Sequence, residues 1–269
     1  MHPDRDIGSI IMAAGRGTRM KGFEGNKTLL PLVARESSYR GEEPILTHIL
    51  KQLPPGPKAL VVNFRRNEVV EATRRFAPSY CEQPVLNGTG GALLAARRFV
   101  EKIQCRRMII TMGDVPLVRS HTYAALASAL DAHHFAVLGF RPTDKKQYGV
   151  LDIKQGRVER IVEYSYWHKY PPERQESLDT CNAGIYAARR QDLLHYLSVL
   201  AARPHSVPKE VDGRWVNVEE YFLTDLVEYM RDDGLSVGCM IAQDPCEVMG
   251  VDDLSALQAA QRIFRERGM

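Results

Sequence analysis

The chain has 269 residues, 44% hydrophobic and 26% charged, with a net charge of +3. That is enough apolar sequence for a sizeable core, and the scattered basic excess suits a small anionic substrate, not nucleic acid or a membrane surface. Five cysteines without a C-x-x-C pair argue against a disulfide frame or a zinc site, and a charged N-terminus before a short apolar stretch argues against a secretory signal or a transmembrane helix, so the expectation is a cytoplasmic protein.

Along the chain, apolar runs of strand length alternate with segments of helical period. Residues 7–13, 58–64, 80–85, 106–112 and 135–140 read as strands. The second, fourth and fifth have nearly continuous apolar cores, as strands of a parallel sheet covered on both faces do. Helices are predicted over 44–53, 67–76, 89–103 and 121–130. In the third, Ala92, Ala96, Phe99, Val100 and Ile103 share one face, and Arg97, Arg98, Glu101 and Lys102 lie elsewhere. This alternation predicts a doubly wound, mostly parallel α/β sheet with right-handed crossovers. Beyond residue 141 the pattern changes. Two strands flank a Gln155-Gly156 turn within 147–164, and another strand covers 179–188. A helix (189–202), a loop holding Pro204 and Pro208, a helix (218–232), a strand (235–242) and a final helix (252–266) follow. This half is expected to continue the sheet and add a small β-rich lid. No internal repeat is present, and no hexapeptide repeat of a left-handed β-helix follows.

Ligands of open α/β sheets bind beyond the carboxyl ends of the strands, so the loop after the first strand is the first place to look. It reads "IIMAAGRGTRMKG", residues 10–22. Gly15 and Gly17 lack a Cβ and allow backbone N–H groups to face a phosphate, while Arg16, Arg19, Lys21 and Lys27 add positive charge. A P-loop string is absent. A dinucleotide fingerprint fails at Met20, where its third glycine belongs, and at Asn63, where the ribose-binding acid belongs. A-A-G-x-G-T-R-M followed by a lysine fits the nucleotidyltransferase loop.

"MAAGRGTRM" with "NKTLLPL" resembles the signature of the sugar-1-phosphate nucleotidyltransferases, in particular the uridylyltransferase domain of bacterial N-acetylglucosamine-1-phosphate uridylyltransferases. "EQPVLNGTGGAL", "MGDVPL", "YGVL", "IVEY", "CNAGIY", "EEYFLTDL" and "EVMGVDD" continue the match in order, from about residue 7 to about residue 266. The resemblance implies a Rossmann-like, GT-A-like fold forming one domain over 1–269, with a nucleotide-binding half over about 7–141 and a sugar-binding half over about 142–269. The acetyltransferase domain of the bifunctional members is not in this sequence. The implied activity is magnesium-dependent transfer from an NTP, UTP by expectation, to a sugar 1-phosphate such as N-acetylglucosamine 1-phosphate. A nucleotidyltransferase acting on a non-sugar phosphate, or a non-catalytic nucleotide sensor, are the alternatives.

The resemblance also implies roles for single residues. Ala13, Ala14, Gly15, Gly17 and Thr18 would line the nucleotide, Arg19 and Lys27 would neutralise the triphosphate, and Gln83 would read the uracil edge with an amide that both donates and accepts. Gly88 and Thr89 would let backbone approach the base and sugar, with Thr89 also suited to cap the next helix. Asp114 and Asp252 would hold magnesium, although Asp252 is equally placed to cap the last helix. Gly149, Glu163, Asn182 and Thr224 match sugar-contacting positions; a buried amide such as that of Asn182 needs partners, which a hexose could supply. The chain departs from the pattern at Met112 and Phe222, where an aromatic and a tyrosine are usual, at Ser165 for a lysine, and in extra sequence around 35–43 and 203–214. A phosphate monoester needs no base to attack, so no role falls to the eight histidines.

Overall fold

The computed structural model describes residues 6–17, 19, 20, 22–211 and 214–268, with the side chains of 209–211 left out. In chain order its strands are β1 (Ile7–Met12), β2 (Pro31–Ser37), β3 (Arg40–Pro44), β4 (Lys58–Val62), β5 (Ser79–Glu82), β6 (Arg107–Met112), β7 (Phe135–Phe140), β8 (Val150–Lys154), β9 (Arg157–Val162), β10 (Cys181–Arg189), β11 (His205–Val211), β12 (Arg214–Glu220) and β13 (Val237–Ile241). The helices are α1 (Ile45–Gln52), α2 (Arg66–Thr73), α3 (Gly88–Ala95), α4 (Arg97–Lys102), α5 (Ser120–Ser128), α6 (Tyr164–Trp167), α7 (Pro172–Ser177), α8 (Arg190–Ala201), α9 (Asp225–Asp232) and α10 (Leu254–Glu266).

Nine strands form one sheet in the order β5-β4-β1-β6-β10-β7-β13-β9-β8. β5, β4, β1, β6, β7 and β13 share one direction, while β10 lies antiparallel between β6 and β7. The central strands read as continuous apolar runs because both faces are covered: all six residues of β7 are buried, and one apolar cluster lies on each side of the sheet. The alternation after residue 141 matches the β8–β9 hairpin, whose Gln155 and Gly156 take φ of 50° and 76°, the left-handed pair that joins a tight hairpin.

Several elements differ from the sequence expectation. The helix expected over 89–103 is two, α3 and α4, broken at Ala96. Ala96, Phe99 and Val100 are buried as expected, so the apolar face runs on across the break and periodicity alone reads one helix. The expected loop with Pro204 and Pro208 is the β11–β12 ribbon, and the first part of the helix expected over 218–232 belongs to β12. A two-stranded ribbon has two free edges, which is where a proline such as Pro208 is tolerated in a strand. The extra sequence near residue 36 forms a second hairpin, β2–β3, against α10. No helix among the described residues is long and apolar enough to cross a membrane.

Candidate active site

The carboxyl ends of β1, β4, β5 and β6 meet at one edge of the sheet, and a cleft of about 350 Å³ opens there. Past β1, Ala13 keeps the ladder for one more residue, its N–H donating to the Val61 carbonyl at 2.9 Å. Ala13 and Ala14 are buried under the cleft. Gly15 is exposed, and a Cβ on it would meet no protein atom within 4 Å. Gly17 is different: its φ is +62°, and a Cβ would lie 2.9 Å from Cδ of Lys27. The bare glycine seats the lysine stem against the loop. Thr18 lies outside the described residues.

Lys27 opens a short 3₁₀ turn, Lys27–Leu29, capped by Asn26, whose Oδ1 accepts from the Thr28 N–H at 3.0 Å and the Thr28 hydroxyl at 2.8 Å. The Asn26 amide also donates to the Phe64 carbonyl at 2.9 Å. The turn aims Lys27 Nζ between two carboxylates, Asp114 Oδ2 at 2.5 Å and Asp252 Oδ1 at 2.9 Å. Arg19, exposed, reaches the same Asp252 oxygen at 2.9 Å. Burial works against the Lys27 charge, since its side chain is only 12% exposed, but the two aspartates outweigh that and raise its pKa above the ordinary lysine value. The ammonium is therefore locked in its charged form.

Asp114 and Asp252 are far apart in sequence, and the backbone brings them together. Gly113 N–H donates to the Met12 carbonyl at 2.9 Å, and a Cβ on Gly113 would lie 2.8 Å from that oxygen, so the end of β6 stays tight against β1. Val251 N–H donates to the Asp114 carbonyl at 2.8 Å. The cap role falls not to Asp252 but to its neighbour: Asp253 caps α10, its Oδ1 accepting from the Ala256 N–H at 2.8 Å, and Asp252 faces the cleft. Two carboxylates converging on a single cation are a fit for a hard divalent ion. Among the described residues no cluster of three or more metal-ligating side chains exists, and magnesium takes few protein oxygens when phosphates supply the rest.

Gln83 follows β5 and is 3% exposed, so it is not the surface residue a glutamine usually is. Asn63 fixes its backbone, donating to its carbonyl at 2.7 Å. The Gln83 amide nitrogen donates to Asn87 Oδ1 and the Gly88 carbonyl, each at 3.2 Å. That leaves the carboxamide oxygen, an acceptor, for a ligand in the cleft. Gly88 has φ +92°, and a Cβ would lie 2.4 Å from the Tyr221 carbonyl. Thr89 does not cap α3; the cap position is Asn87, without a side-chain bond, and the Thr89 hydroxyl accepts from the Leu223 N–H at 3.1 Å. Leu86 and Met12 supply apolar lining that the sequence gives no role, together with Ala92, expected on a helix face, and Met112, a departure from the family pattern.

A larger cleft of about 1220 Å³ adjoins the first through Gly88 and Thr89. Glu163, at the end of β9, and Thr224 line it, with the Thr224 hydroxyl bonded to Glu163. The enclosing walls raise the Glu163 carboxyl above the usual glutamate range against that bond, with Asp225 adding to the rise. Gly149 backs Glu163, a Cβ there coming within 3.4 Å of Oε2, and itself lines a third cleft that shares Arg19 and Asp252. Asn182 lines none of the three. Its amide donates to the Tyr186 hydroxyl at 2.8 Å and accepts from the Gly184 N–H at 3.0 Å, across a register shift in β10. Asn182 is half-buried and not the buried amide expected, and the protein itself supplies its partners.

The β11–β12 ribbon, expected as a loop, forms a wall of the larger cleft. His205 Nε2 lies 2.8 Å from Asp225 Oδ2, and its ring centroid is 5.0 Å from that of Phe222. Phe222 and Ser165, both departures from the acetylglucosamine pattern, face this cleft.

The model of the MobA-like NTP transferase domain matches residues 9–204. The bifunctional protein GlmU of Thermobifida fusca is 32% identical over 284 residues, covering 99% of this chain and 52% of the relative. That of Novosphingobium aromaticivorans is 29% identical over 270 residues, covering 98% and 54%. The chain thus spans about half the length of the curated relatives it matches. Among solved structures, the uridine diphosphate N-acetylglucosamine pyrophosphorylase of Trypanosoma brucei aligns with a TM-score of 0.72 at 14% identity, covering 95% of this chain and 64% of that one. A CMP:2-keto-3-deoxy-manno-octonic acid synthetase aligns with a TM-score of 0.62 at 16% identity, covering 97% and 99%. These two likenesses show the fold.

Proposed function

Because the chain belongs to the MobA-like NTP transferase family, we propose that it joins UTP to a sugar 1-phosphate and releases pyrophosphate. It is a nucleotidyltransferase with sugar nucleotidyltransferases among its relatives and structural neighbours; the donor base and the acceptor are our reading. The observation that carries it is the Lys27 ammonium between Asp114 and Asp252, under a glycine loop at the carboxyl edge of the sheet.

In the proposed reaction an oxygen of the sugar phosphate attacks the α-phosphorus in line, and the bond to the β-phosphate breaks. The attacking group is already an anion, so the protein's task is to hold two anions together and neutralise them. Ala13, Ala14, Gly15 and Gly17 offer backbone to the nucleotide, and the sequence motif adds Thr18 to them. Lys27 and Arg19 lie where the triphosphate would pass and carry the neutralising charge. Asp114 and Asp252 would hold a magnesium ion, which when bound withdraws charge from phosphate oxygens. Gln83 presents an acceptor, which suits the N3–H of uracil and mismatches the N3 lone pair of cytosine. Gly88 and Thr89 stand between the nucleotide and the acceptor, whose sugar would meet Glu163, Thr224 and Gly149; Asn182 would act by shaping β10. The two halves, about 7–141 and 142–269, are then the donor and acceptor sides of one transferase unit. Its setting, with five free cysteines, is read as the cytoplasm.

Pyrophosphate release from each of the four NTPs, against a panel of sugar 1-phosphates and alcohol phosphates, tests this reading. Release is expected with UTP and a sugar 1-phosphate. A wide preference for ATP or GTP overturns the base assignment, turnover only with a non-sugar phosphate overturns the acceptor, and binding of nucleotide without any turnover makes the protein a sensor.

A further inference from the structure

Glu247 is a glutamate with 2% exposure that no step of the reaction uses. It lies on the short 3₁₀ turn Pro245–Val248, between β13 and Asp252. A carboxylate so deep in a protein must be paired. Its two oxygens are taken by the first turn of α5: Oε2 accepts from the Thr122 hydroxyl at 2.6 Å, and Oε1 is bound by the Arg119 guanidinium. α5 begins a few residues after Asp114, and Val115, Leu117 and Val118 between them are buried.

These contacts close a circuit. From Asp114 the buried segment runs to Arg119 and Thr122, which hold Glu247. From Glu247 the chain runs to Val251, whose N–H returns to the Asp114 carbonyl at 2.8 Å. Asp252 is the next residue. The segment that carries Asp252 is otherwise a short turn and a loop, with no ladder of its own to fix it. The outer end of the turn is pinned by Asp244, which accepts from the Cys246 N–H at 2.9 Å and binds Arg267 of α10. Loss of the Glu247 contacts would leave, among the described residues, the Val251 bond and the Lys27 ammonium shared by both carboxylates to tie the two aspartate segments together.

We infer that Glu247, with Arg119 and Thr122, is a positioning group that sets the separation of the Asp114 and Asp252 carboxylates, and so the affinity for the divalent cation that accompanies the nucleotide. The inference rests on the reading of Asp114 and Asp252 as cation ligands. Removing a group that orients metal ligands commonly weakens metal affinity by about 10–100-fold.

Thr122→Val deletes one hydroxyl bond, Glu247→Gln keeps the shape and loses the charge, and Glu247→Ala loses both. Dissociation constants of the intact protein for UTP without metal and for UTP with Mn²⁺ are measured by calorimetry, with the bound Mn²⁺ read by its EPR spectrum. Thr122→Val and Glu247→Gln are expected to weaken the Mn²⁺·UTP complex by about 10-fold and Glu247→Ala by up to about 100-fold, with metal-free UTP binding unchanged. Tyr196→Phe, which removes the bond to Asp233 at 2.8 Å, reports what a remote loss of stability does, and should leave both constants as in the wild type. Equal weakening with and without Mn²⁺, or no weakening in Thr122→Val and Glu247→Gln, overturns the positioning role. A wild-type protein that gains nothing from Mn²⁺ overturns the cation reading and this inference with it.

Discussion

The two adjoining clefts are built by different means. The smaller one is anchored at the ends of parallel strands: Ala13 and Ala14 after β1, Gln83 after β5, Asp114 after β6. Its geometry is inherited from the sheet, whose ladder bonds fix the strand ends. The larger one is walled by side chains on separate pieces, the end of β9, α6, the β11–β12 ribbon and the segment before α9. Of those pieces the end of β9 belongs to the main sheet, and the other three lie outside it. On the proposed reading, chemistry that must not vary would sit on the sheet frame, and recognition on parts that insertions can reshape without disturbing it.

The largest expected effects fall in the rigid cleft. Asp114→Asn should reduce kcat by about 10³-fold or more, and Lys27→Ala by about 10²–10³-fold, since each removes charge met in the transition state. Asp252→Asn should be milder, because an amide oxygen still coordinates. Lys27→Ala also leaves two carboxylates facing each other, so added Mg²⁺ should raise its melting temperature more than that of the wild type. Near-normal turnover in either variant at position 27 or 114 would dissolve the distinction between the clefts.

Next comes the base. Gln83→Ala should lower kcat/KM for UTP by about 1–3 kcal/mol, the cost of stranding a polar partner, and narrow the gap to CTP. A uniform loss over all four nucleotides would mean that Gln83 shapes the cleft and does not read the base.

The acceptor cleft should respond in KM. His205→Ala breaks the pair with Asp225 and the contact with Phe222, and should raise the acceptor KM by about 2–10-fold, the worth of one ring contact, while KM for the nucleotide stays fixed. A change in the nucleotide KM instead would show that the ribbon serves both clefts.

The smallest effect concerns Glu163. Its folded-state pKa is raised, chiefly by the walls around it. The stability it contributes is therefore full below the ordinary glutamate range and is lost as pH rises through the raised value. Glu163→Gln should flatten the stability profile across that window, read by denaturant titration at a series of pH values; an unchanged slope would remove the enclosure argument.

How much of this was legible in the sequence follows from the range of the interactions. The β1 strand, its glycine loop and the strand ahead of Asp114 were legible because continuous apolar runs and a φ-positive glycine are local facts. Of the residues that line the smaller cleft, Ala13, Ala14, Gly15, Gly17, Gln83 and Asp114 lie in short strings after strands, whereas Lys27, Gly88, Thr89 and Asp252 ride on a turn, a helix start and a loop. The larger cleft was less legible. Two prolines made the ribbon look like a loop, but Pro204 precedes β11 and Pro208 sits within it, where a free-edged ribbon tolerates a proline. Asn182 looked like a buried ligand group because it stands in an apolar run, but it is half-buried, and its partners, Tyr186 and Gly184, are not visible in the string.

What the sequence by itself determined is the identity of the chemical groups and the element on which each one rides: a glycine loop after a buried strand, a lysine after it, an aspartate at the end of another strand. What only the tertiary structure decided is which of them meet. Nothing in the string says that Asp252 serves the cleft while Asp253 caps the helix, or that Lys27 closes against Asp114 and Asp252 together. Those outcomes depend on where the 245–252 segment lands, and that is set by Val251 on Asp114 and by Glu247 on α5. Local sequence fixes backbone preference over a few residues, whereas the distance between two carboxylates so far apart in the chain is set by packing between the elements that carry them.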